Sequence, residues 1–404
     1  MNYQETVDYL FSQLPMFQRV GAAAYKADLS NTIALCELMG NPQNEFRSIH
    51  IAGTNGKGSV SSTLASIYAT CGYKTGLFTS PHLKDYRERM RINGEMIPEK
   101  FVVDFVEKYR HAAAELKPSF FEFTCAMAFA WFAEELIDMA ILEVGMGGRL
   151  DSTNVVTPDI AVITSIGYDH QQFLGETLEA IAAEKGGIIK PEVPVVIGHN
   201  ILSVQEVFGK IANLRKAPIY FSRSSSAEFA TDLQGSYQLE NMRTVSRVID
   251  VAKKLGHNIT QDCVEKGALN VKKNTSLRGR WETIGENPRI ITDVGHNEGG
   301  VRMVVEMLSK QSFVRLHIVW GMVGDKDAKT ILALLPTSAT YYWCKPDVPR
   351  GKDLRELSQE ALKFSLEGKE YPSVQAALAE AKKKALMNDL IFVGGSVFVV
   401  AEVI

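Results

Sequence analysis

Hydrophobic positions along the chain follow two rhythms. Val7, Leu10, Phe11 and Leu14 recur at three- and four-residue spacing, which predicts helix within the first 45 residues. Beyond them, short apolar runs alternate with amphipathic stretches. Ile49-His50-Ile51-Ala52 predicts a strand, followed by a glycine-rich turn and a helix reaching about Cys71. Further strands are predicted at 75–79, 139–142, 160–163 and 193–197. A second series opens near Arg289, with a strand at Ile290-Ile291, a helix over 299–308, and strands at 317–320, 340–343 and 389–393. Strands that alternate with helices predict an α/β fold, a doubly wound and mostly parallel sheet with helices on both faces. Gly285-Glu286-Asn287-Pro288 interrupts both periodicities and is expected to be a linker. It divides a large domain, 1–285, from a small one, 286–404.

Composition narrows the picture. The 404 residues are 46% hydrophobic and 23% charged, the balance of an ordinary globular chain of about two domains. Lys and Arg total 44 against 47 Asp and Glu, so no basic surplus exists to hold a phosphodiester backbone, and no nucleic-acid partner is expected. Cys36, Cys71, Cys125, Cys263 and Cys344 are odd in number and form no CxxC pair. Neither a disulfide framework nor a thiolate zinc site is expected, and a reducing compartment is the simple reading. The N-terminus lacks the features of a signal peptide, and the apolar runs 123–133 and 390–401 are too short to span a bilayer. The expectation is a cytoplasmic protein without a membrane partner.

The strongest local signal is Gly53-Thr54-Asn55-Gly56-Lys57-Gly58-Ser59, between a strand and a helix. Glycines let backbone N–H groups close around an oxyanion, and the helix N-terminus adds its dipole. Lys57 supplies a point charge for β- and γ-phosphates, and the Ser59 hydroxyl can bind Mg²⁺. The loop departs from GxxxxGK[ST], because Gly58 separates Lys57 from Ser59. Read alone, it could be a plain turn. In parallel sheets ligands sit beyond the carboxyl ends of the strands. The residues there include Ser80-Pro81-His82, Glu143 and Asp169-His170. Glu143 is a candidate Mg²⁺ ligand. Each alone is as compatible with a structural role. Lys185, in Glu184-Lys185-Gly186-Gly187, reads by itself as the basic last turn of a helix.

The loop, Thr79-Ser80-Pro81-His82-Leu83, Glu143-Val144-Gly145-Met146-Gly147-Gly148-Arg149-Leu150-Asp151-Ser152-Thr153-Asn154, Asp169-His170 and Glu184-Lys185-Gly186-Gly187-Ile188 occur in this order. They are followed by Arg280, Asp293-Val294-Gly295-His296-Asn297, Gly321-Met322-Val323-Gly324-Asp325-Lys326-Asp327 and Gly394-Gly395-Ser396. The combination resembles the folylpolyglutamate synthase and dihydrofolate synthase family, a branch of the Mur ligase superfamily, essentially from end to end. The resemblance implies a large P-loop-type domain and a smaller Rossmann-like domain. It implies an ATP-dependent amide ligase acting as a monomer on small molecules: ATP, L-glutamate, and dihydropteroate or reduced folates.

By the same resemblance, Lys57, Glu143, His170 and Lys185 are catalytic. Thr54, Asn55, Gly56, Lys57, Gly58, Ser59, Asn241, Arg280, Asp293 and His296 contact ATP. Ser119, Phe120, Phe121, Glu122, Leu150, Asp151 and Ser152 form the folate site, although Phe120 and Phe121 are equally readable as core. Two Mg²⁺ ions are implied, one on Ser59, Ser80 and Glu143, the other near Glu143 with His170 and Lys185. The lysine matching Lys185 is carbamylated in the family. This chain departs in having Tyr237 where histidine is usual, Glu298 after Asn297, and Gly186 in place of alanine. A cell-wall Mur ligase would share the chemistry but carries an extra N-terminal domain, for which the 52 residues before Gly53 are too few. A GTPase-like switch would need an Asn-Lys-x-Asp motif, which is missing.

Overall fold

A computed structural model describes residues 1–16, 28–224, 229–324 and 327–404. Asp325 and Lys326, named above among the family's marks, lie outside the described residues. The chain divides into two compact units. The first comprises Met1–Leu233 and Gln238–Leu277; the second comprises Gln234–Tyr237 and Arg278–Ile404.

The first unit is built on an eight-stranded sheet. Its strands are β1 (Arg47–Ala52), β2 (Thr75–Phe78), β3 (Met90–Ile92), β4 (Glu95–Met96), β5 (Met139–Glu143), β6 (Ile160–Ile163), β7 (Val195–Ile197) and β8 (Ile219–Phe221), in the order β4-β3-β2-β5-β1-β6-β7-β8. From β2 to β8 the neighbours run parallel, while β3 and β4 form an antiparallel margin. The central strands are apolar on both faces because helices cover both, so they read as continuous hydrophobic runs. Ile49 and Ile51 pack with Val60, Leu64 and Val245 on one side. Ala140 and Leu142 face Phe123, Met127 and Phe132 on the other. The chain leaves β1 toward β2 and later returns to its far side with β6, so the sheet's topological switch lies beside β1.

Register places the site. Ile51 is opposite Glu143, and Ala52 is opposite Ile163. Glu143 therefore ends its strand one pleat from the start of the phosphate loop, and Thr164 stands beside Gly53.

One sequence expectation is overturned here. Cys71 and Cys263 form a disulfide across 192 residues. Cys71 caps the helix Lys57–Thr70, and Cys263 lies in the helix Gln261–Ala268. These helices approach closely because Gly267 packs against the Ile67 Cα, where a Cβ would stand at 2.6 Å. Ser66 Oγ also donates to the Gly267 carbonyl at 2.6 Å. Contact between distant helices, which spacing cannot reveal, pairs the two sulfurs. Cys36, Cys125 and Cys344 are buried free thiols.

The second unit has a six-stranded sheet of β9 (Glu282–Glu286), β10 (Arg289–Thr292), β11 (Leu316–Trp320), β12 (Thr340–Cys344), β13 (Gly368–Tyr371) and β14 (Leu390–Gly394), ordered β13-β12-β11-β14-β10-β9. All pairs are parallel except β9 with β10. Gly285 and Glu286 thus end β9 and Asn287-Pro288 turn the chain into β10, so the segment belongs to a hairpin and is not a linker. Its turn residues join two strands whose pairing the pattern did not disclose. Among the described residues, no helix is long and apolar enough to cross a membrane.

Candidate functional site

The phosphate loop leaves β1 at Gly53 (φ 148°) and enters the helix Lys57–Thr70 through Gly56, which is left-handed (φ 90°). Both glycines are required by contact as well as by φ. A Cβ on Gly53 would lie 1.8 Å from Thr164 Oγ1, and one on Gly56 2.4 Å from Asn241 Oδ1. The neighbouring strand end pins the loop. Thr164 Oγ1 and Ser165 Oγ donate to the Asn55 carbonyl at 2.7 and 3.1 Å, and Thr54 N donates to the Ser165 carbonyl at 2.7 Å. Thr54 Oγ1 exchanges hydrogen bonds with Gly167, donating to its carbonyl and accepting from its N–H. Buried Asn200 holds that loop in turn, accepting from Ile166 N and donating to the Thr164 carbonyl. Thr164 and Asn200 escaped the sequence reading, although Thr164 directly follows a predicted strand.

Lys57 Nζ folds back to donate to the Gly53 and Thr54 carbonyls at 3.0 and 3.3 Å. Its charge sits over the loop where an oxyanion would be held. Ser59 is buried in the helix's first turn and accepts from Gln238 Nε2 at 3.2 Å, while Gln238 Oε1 accepts from Asn241 Nδ2 at 2.8 Å. Asn241 thus reaches the loop directly, and Gln238, also unread in the sequence, sets the Ser59 hydroxyl.

Glu143 is buried at the end of β5 and accepts from Ser80 N at 3.1 Å. Buried Arg89 carries its guanidinium in the field of Glu143, donates to His82 Nδ1 at 2.8 Å, and lies 5.3 Å over the Phe120 ring. That bond fixes His82 Nδ1 as an acceptor. Burial, then the Arg89 charge, push the His82 pKa down to about 3, so its ring stays neutral. Arg89 is a cation at the site that the motifs did not single out.

Lys185 is buried in the last turn of the helix Leu178–Gly186. Burial chiefly, and then the Lys57 charge, lower its pKa to about 7, against the opposing pull of Asp169 and Asp151. The loop after Glu143 braces it. Gly148 packs within 3.0 Å of the Lys185 backbone, as measured from the Cβ it lacks, and Arg149 N donates to the Glu184 carbonyl at 2.8 Å. His170 follows Asp169 in the left-handed region (φ 52°) at the start of the short helix Gln171–Leu174. Among the described residues, no group of three or more His, Cys, Asp or Glu could hold a metal by itself.

The predicted folate residues part company. Ser119 and Glu122 are a capping box: Ser119 N donates to Glu122 Oε2, and Glu122 N to Ser119 Oγ, closing the start of the helix Phe120–Glu134. Phe120 is core, packed on Phe11 and Tyr86. Phe121 is half-buried and covers Gly145, where a Cβ would meet its ring at 2.6 Å. Leu150 is half-buried beside Asp151. Asp151 accepts from Met146 N, Gly145 N, Thr153 N and Thr153 Oγ1. A carboxylate has about four acceptor positions, and these donors close the loop around Asp151. Buried Ser152 opens the 3₁₀ turn Ser152–Val155.

In the comparisons with known proteins, residues 51–260 match the Mur ligase middle domain, and residues 279–397 the Mur ligase glutamate ligase domain. Folylpolyglutamate synthase of Lacticaseibacillus casei is 31% identical, over 100% of this chain and 98% of the relative. The chain belongs to the folylpolyglutamate synthase/dihydrofolate synthase family of Mur ligases. Among solved structures, Escherichia coli FolC in complex with DHPP and ADP aligns with TM-score 0.87 and 28% identity, over 100% of this chain and 97% of that one. The bifunctional folylpolyglutamate synthase/dihydrofolate synthase of Yersinia pestis complexed with AMPPNP and Mn aligns at 0.85 and 26%, over 100% and 97%.

The Mur ligase's second unit carries the other expected nucleotide contacts. Asp293 is buried and accepts from Tyr237 Oη at 2.7 Å, Trp281 N at 2.8 Å and Gly295 N at 2.8 Å. Burial raises its pKa, and these donors with Arg280 offset part of the rise. Tyr237, the departure from histidine, therefore partners Asp293, and the pair organises the turn after β10. His296 Nδ1 is engaged by the Val294 carbonyl at 2.9 Å. Arg280 lies in the field of Asp293 and reaches the Gly279 carbonyl.

Proposed function

We propose that the chain is an ATP-dependent ligase that joins L-glutamate to dihydropteroate, to the γ-carboxyl of reduced folates, or to both. The observation that carries this reading is the single rim on which the Gly53–Ser59 loop, Glu143 and buried Lys185 converge, beside an aromatic face at Phe121. A carboxylate is a poor electrophile, and phosphorylation gives it a leaving group. An acceptor oxygen attacks the γ-phosphorus and the bond to ADP breaks. The glutamate amine then attacks the acyl carbon, losing a proton as phosphate departs. Such transfers need alignment and charge neutralisation more than covalent help. The loop N–H groups and Lys57 supply both for the phosphates, and buried Arg89 offers a cation to an anionic acceptor.

The donor set fits Mg²⁺. A buried hydroxyl at Ser59 and one buried carboxylate at Glu143 are hard oxygens, and Mg²⁺ characteristically completes its shell with water and substrate phosphates. One ion would be held by Ser59, Ser80 and Glu143, a second by His170 and Lys185. Bound there, Mg²⁺ would neutralise phosphate charge. Lys185 can serve only if it loses its positive charge. Its pKa of about 7 leaves a large fraction as free amine, which can add to CO₂, forming an N–C bond, releasing a proton and giving a carbamate. Activity should fall in CO₂-depleted buffer and return with bicarbonate. Equal rates in both would remove the carbamate.

The deciding assay supplies ATP and L-glutamate with either dihydropteroate or tetrahydrofolate and follows phosphate release. Lys57→Ala should abolish turnover with both acceptors. Turnover retained in that variant, or phosphate release independent of acceptor, would contradict the reading.

A further inference from the structure

His50 sits in the middle of β1, opposite Leu142 and Ala161, and is wholly buried. It alternates with Ile49 and Ile51 and so faces the opposite side of the sheet. Its Nε2 lies 2.7 Å from Thr153 Oγ1, also wholly buried, while its Nδ1 has no hydrogen-bond partner. Buried polar atoms are nearly always paired, and an imidazole inside a hydrophobic sheet has no obvious packing advantage over leucine.

Proton counting resolves the arrangement. Thr153 has one hydroxyl proton, and it goes to Asp151 Oδ1. Thr153 Oγ1 can then only accept from His50, so the ring carries its proton on Nε2 and leaves Nδ1 bare. Burial, then the Lys190 charge, push the His50 pKa down to about 3, in keeping with a neutral ring. The opposite arrangement, Thr153 donating to His50, would take a donor from Asp151 and bury an unpaired N–H at Nδ1. Asp151 in turn gathers Gly145 N and Met146 N, so it closes the loop 145–151 on itself. That loop lies under Phe121 at Gly145 and against the Lys185 backbone at Gly148.

We propose that His50 is a positioning residue: by donating from Nε2 to Thr153 it commits the threonine proton to Asp151 and holds the acceptor-facing loop against Phe121. This rests on the reading of Phe121 and its loop as the acceptor side. If that reading fails, the unaltered chain shows no acceptor-dependent turnover, whereas failure of the present inference leaves that turnover intact.

The test uses the full chain. Thr153→Val keeps the shape and removes the hydroxyl, and Thr153→Ser keeps the hydroxyl. Thr153→Val should raise the acceptor KM by about tenfold or more, the scale of a lost hydrogen bond to a charged group, with the ATP-analogue Kd within about twofold. Thr153→Ser should stay within about threefold in both. His50→Leu frees the Thr153 hydroxyl from Nε2–H but leaves its proton to Asp151, so it should raise the acceptor KM in the same direction by less than the valine change, and His50→Gln, which retains a donor, should reverse most of it. Nitrogen-15 spectra of labelled histidine, assigned by His50→Gln, should show the Nε2–H tautomer at neutral pH. This spectrum and the threonine pair decide the question even if His50→Leu fails to fold. An Nδ1–H tautomer, an unchanged acceptor KM in Thr153→Val, or equal losses for nucleotide and acceptor would overturn the proposal.

Discussion

Replacing Gly53 by alanine should uncouple the phosphate loop from β6 with little harm to the sheet. The new Cβ would stand 1.8 Å from Thr164 Oγ1 and 3.0 Å from its Cβ, so Thr164 must turn away. It would lose the hydrogen bond of its single hydroxyl proton, made to the Asn55 carbonyl at 2.7 Å with the Ala52 carbonyl at 3.3 Å, about 1 kcal/mol. Residue 53 would also be strained at φ 148°, a conformation worth about 1–3 kcal/mol to any residue with a side chain. If about 3 kcal/mol of this falls on the nucleotide-competent loop, affinity drops by about a hundredfold. Titration with a fluorescent ATP analogue reads the Kd, and thermal unfolding checks the fold. Thr164→Gly alone gives up the same hydroxyl without straining residue 53, so it should cost only about fivefold in affinity. A Gly53→Ala variant with the original Kd, or a Thr164→Gly variant that loses as much as Gly53→Ala, would refute the geometry of the loop.

Denatured without reductant, the chain should titrate three thiols, those of Cys36, Cys125 and Cys344, and a peptide map should join Cys71 to Cys263. Closing a 192-residue segment is worth about 5 kcal/mol in the chain-entropy picture, so Cys71→Ser should lower the thermal midpoint; five reactive thiols would contradict the pairing. His50 supplies a pH test. Its folded pKa, about 3, lies below the unfolded value of 6.5, so only the unfolded chain gains this proton as pH falls through 6.5. Its contribution to stability is present above pH 6.5 and is lost toward pH 3, at about 1.4 kcal/mol per pH unit. Denaturant titrations of His50→Gln between pH 6 and 5 should show a slope shallower by that amount, and an unchanged slope would contradict a neutral buried ring.

The parts of the fold that sequence reveals are those buried on both faces. β5 and β6 are apolar runs up to their ends and β1 is one interrupted by His50, and their ends identify Glu143 and the loop at Gly53 without further help. The antiparallel margin is less visible because β3 and β4 are short and partly polar. Yet Asn93-Gly94 between them is a hairpin signal, and both residues take positive φ, 47° and 89°. The hairpin segment Gly285–Pro288 has the composition of a linker, and only its partner strand distinguishes the two. At the site, residue type gave the chemistry but not its allocation. Ser119, Glu122 and Asp151 are polar and near the rim, as a ligand pocket would need. They also close a helix start and a loop, a role that depends on neighbours brought in by folding. Arg89, Gln238 and Asn200 each also have a partner 54, 179 and 34 positions away, respectively, which no local motif marks. The Cys71–Cys263 pairing was illegible for the same reason.

The most direct test of the central claim, that ATP activates the acceptor's own carboxylate at this rim, follows one oxygen atom. Dihydropteroate or tetrahydrofolate labelled with oxygen-18 in the reacting carboxyl is turned over with ATP and L-glutamate, and the released phosphate is analysed by mass spectrometry. An acyl phosphate requires one labelled oxygen to appear in each phosphate formed with product. Product formed with unlabelled phosphate would contradict the account.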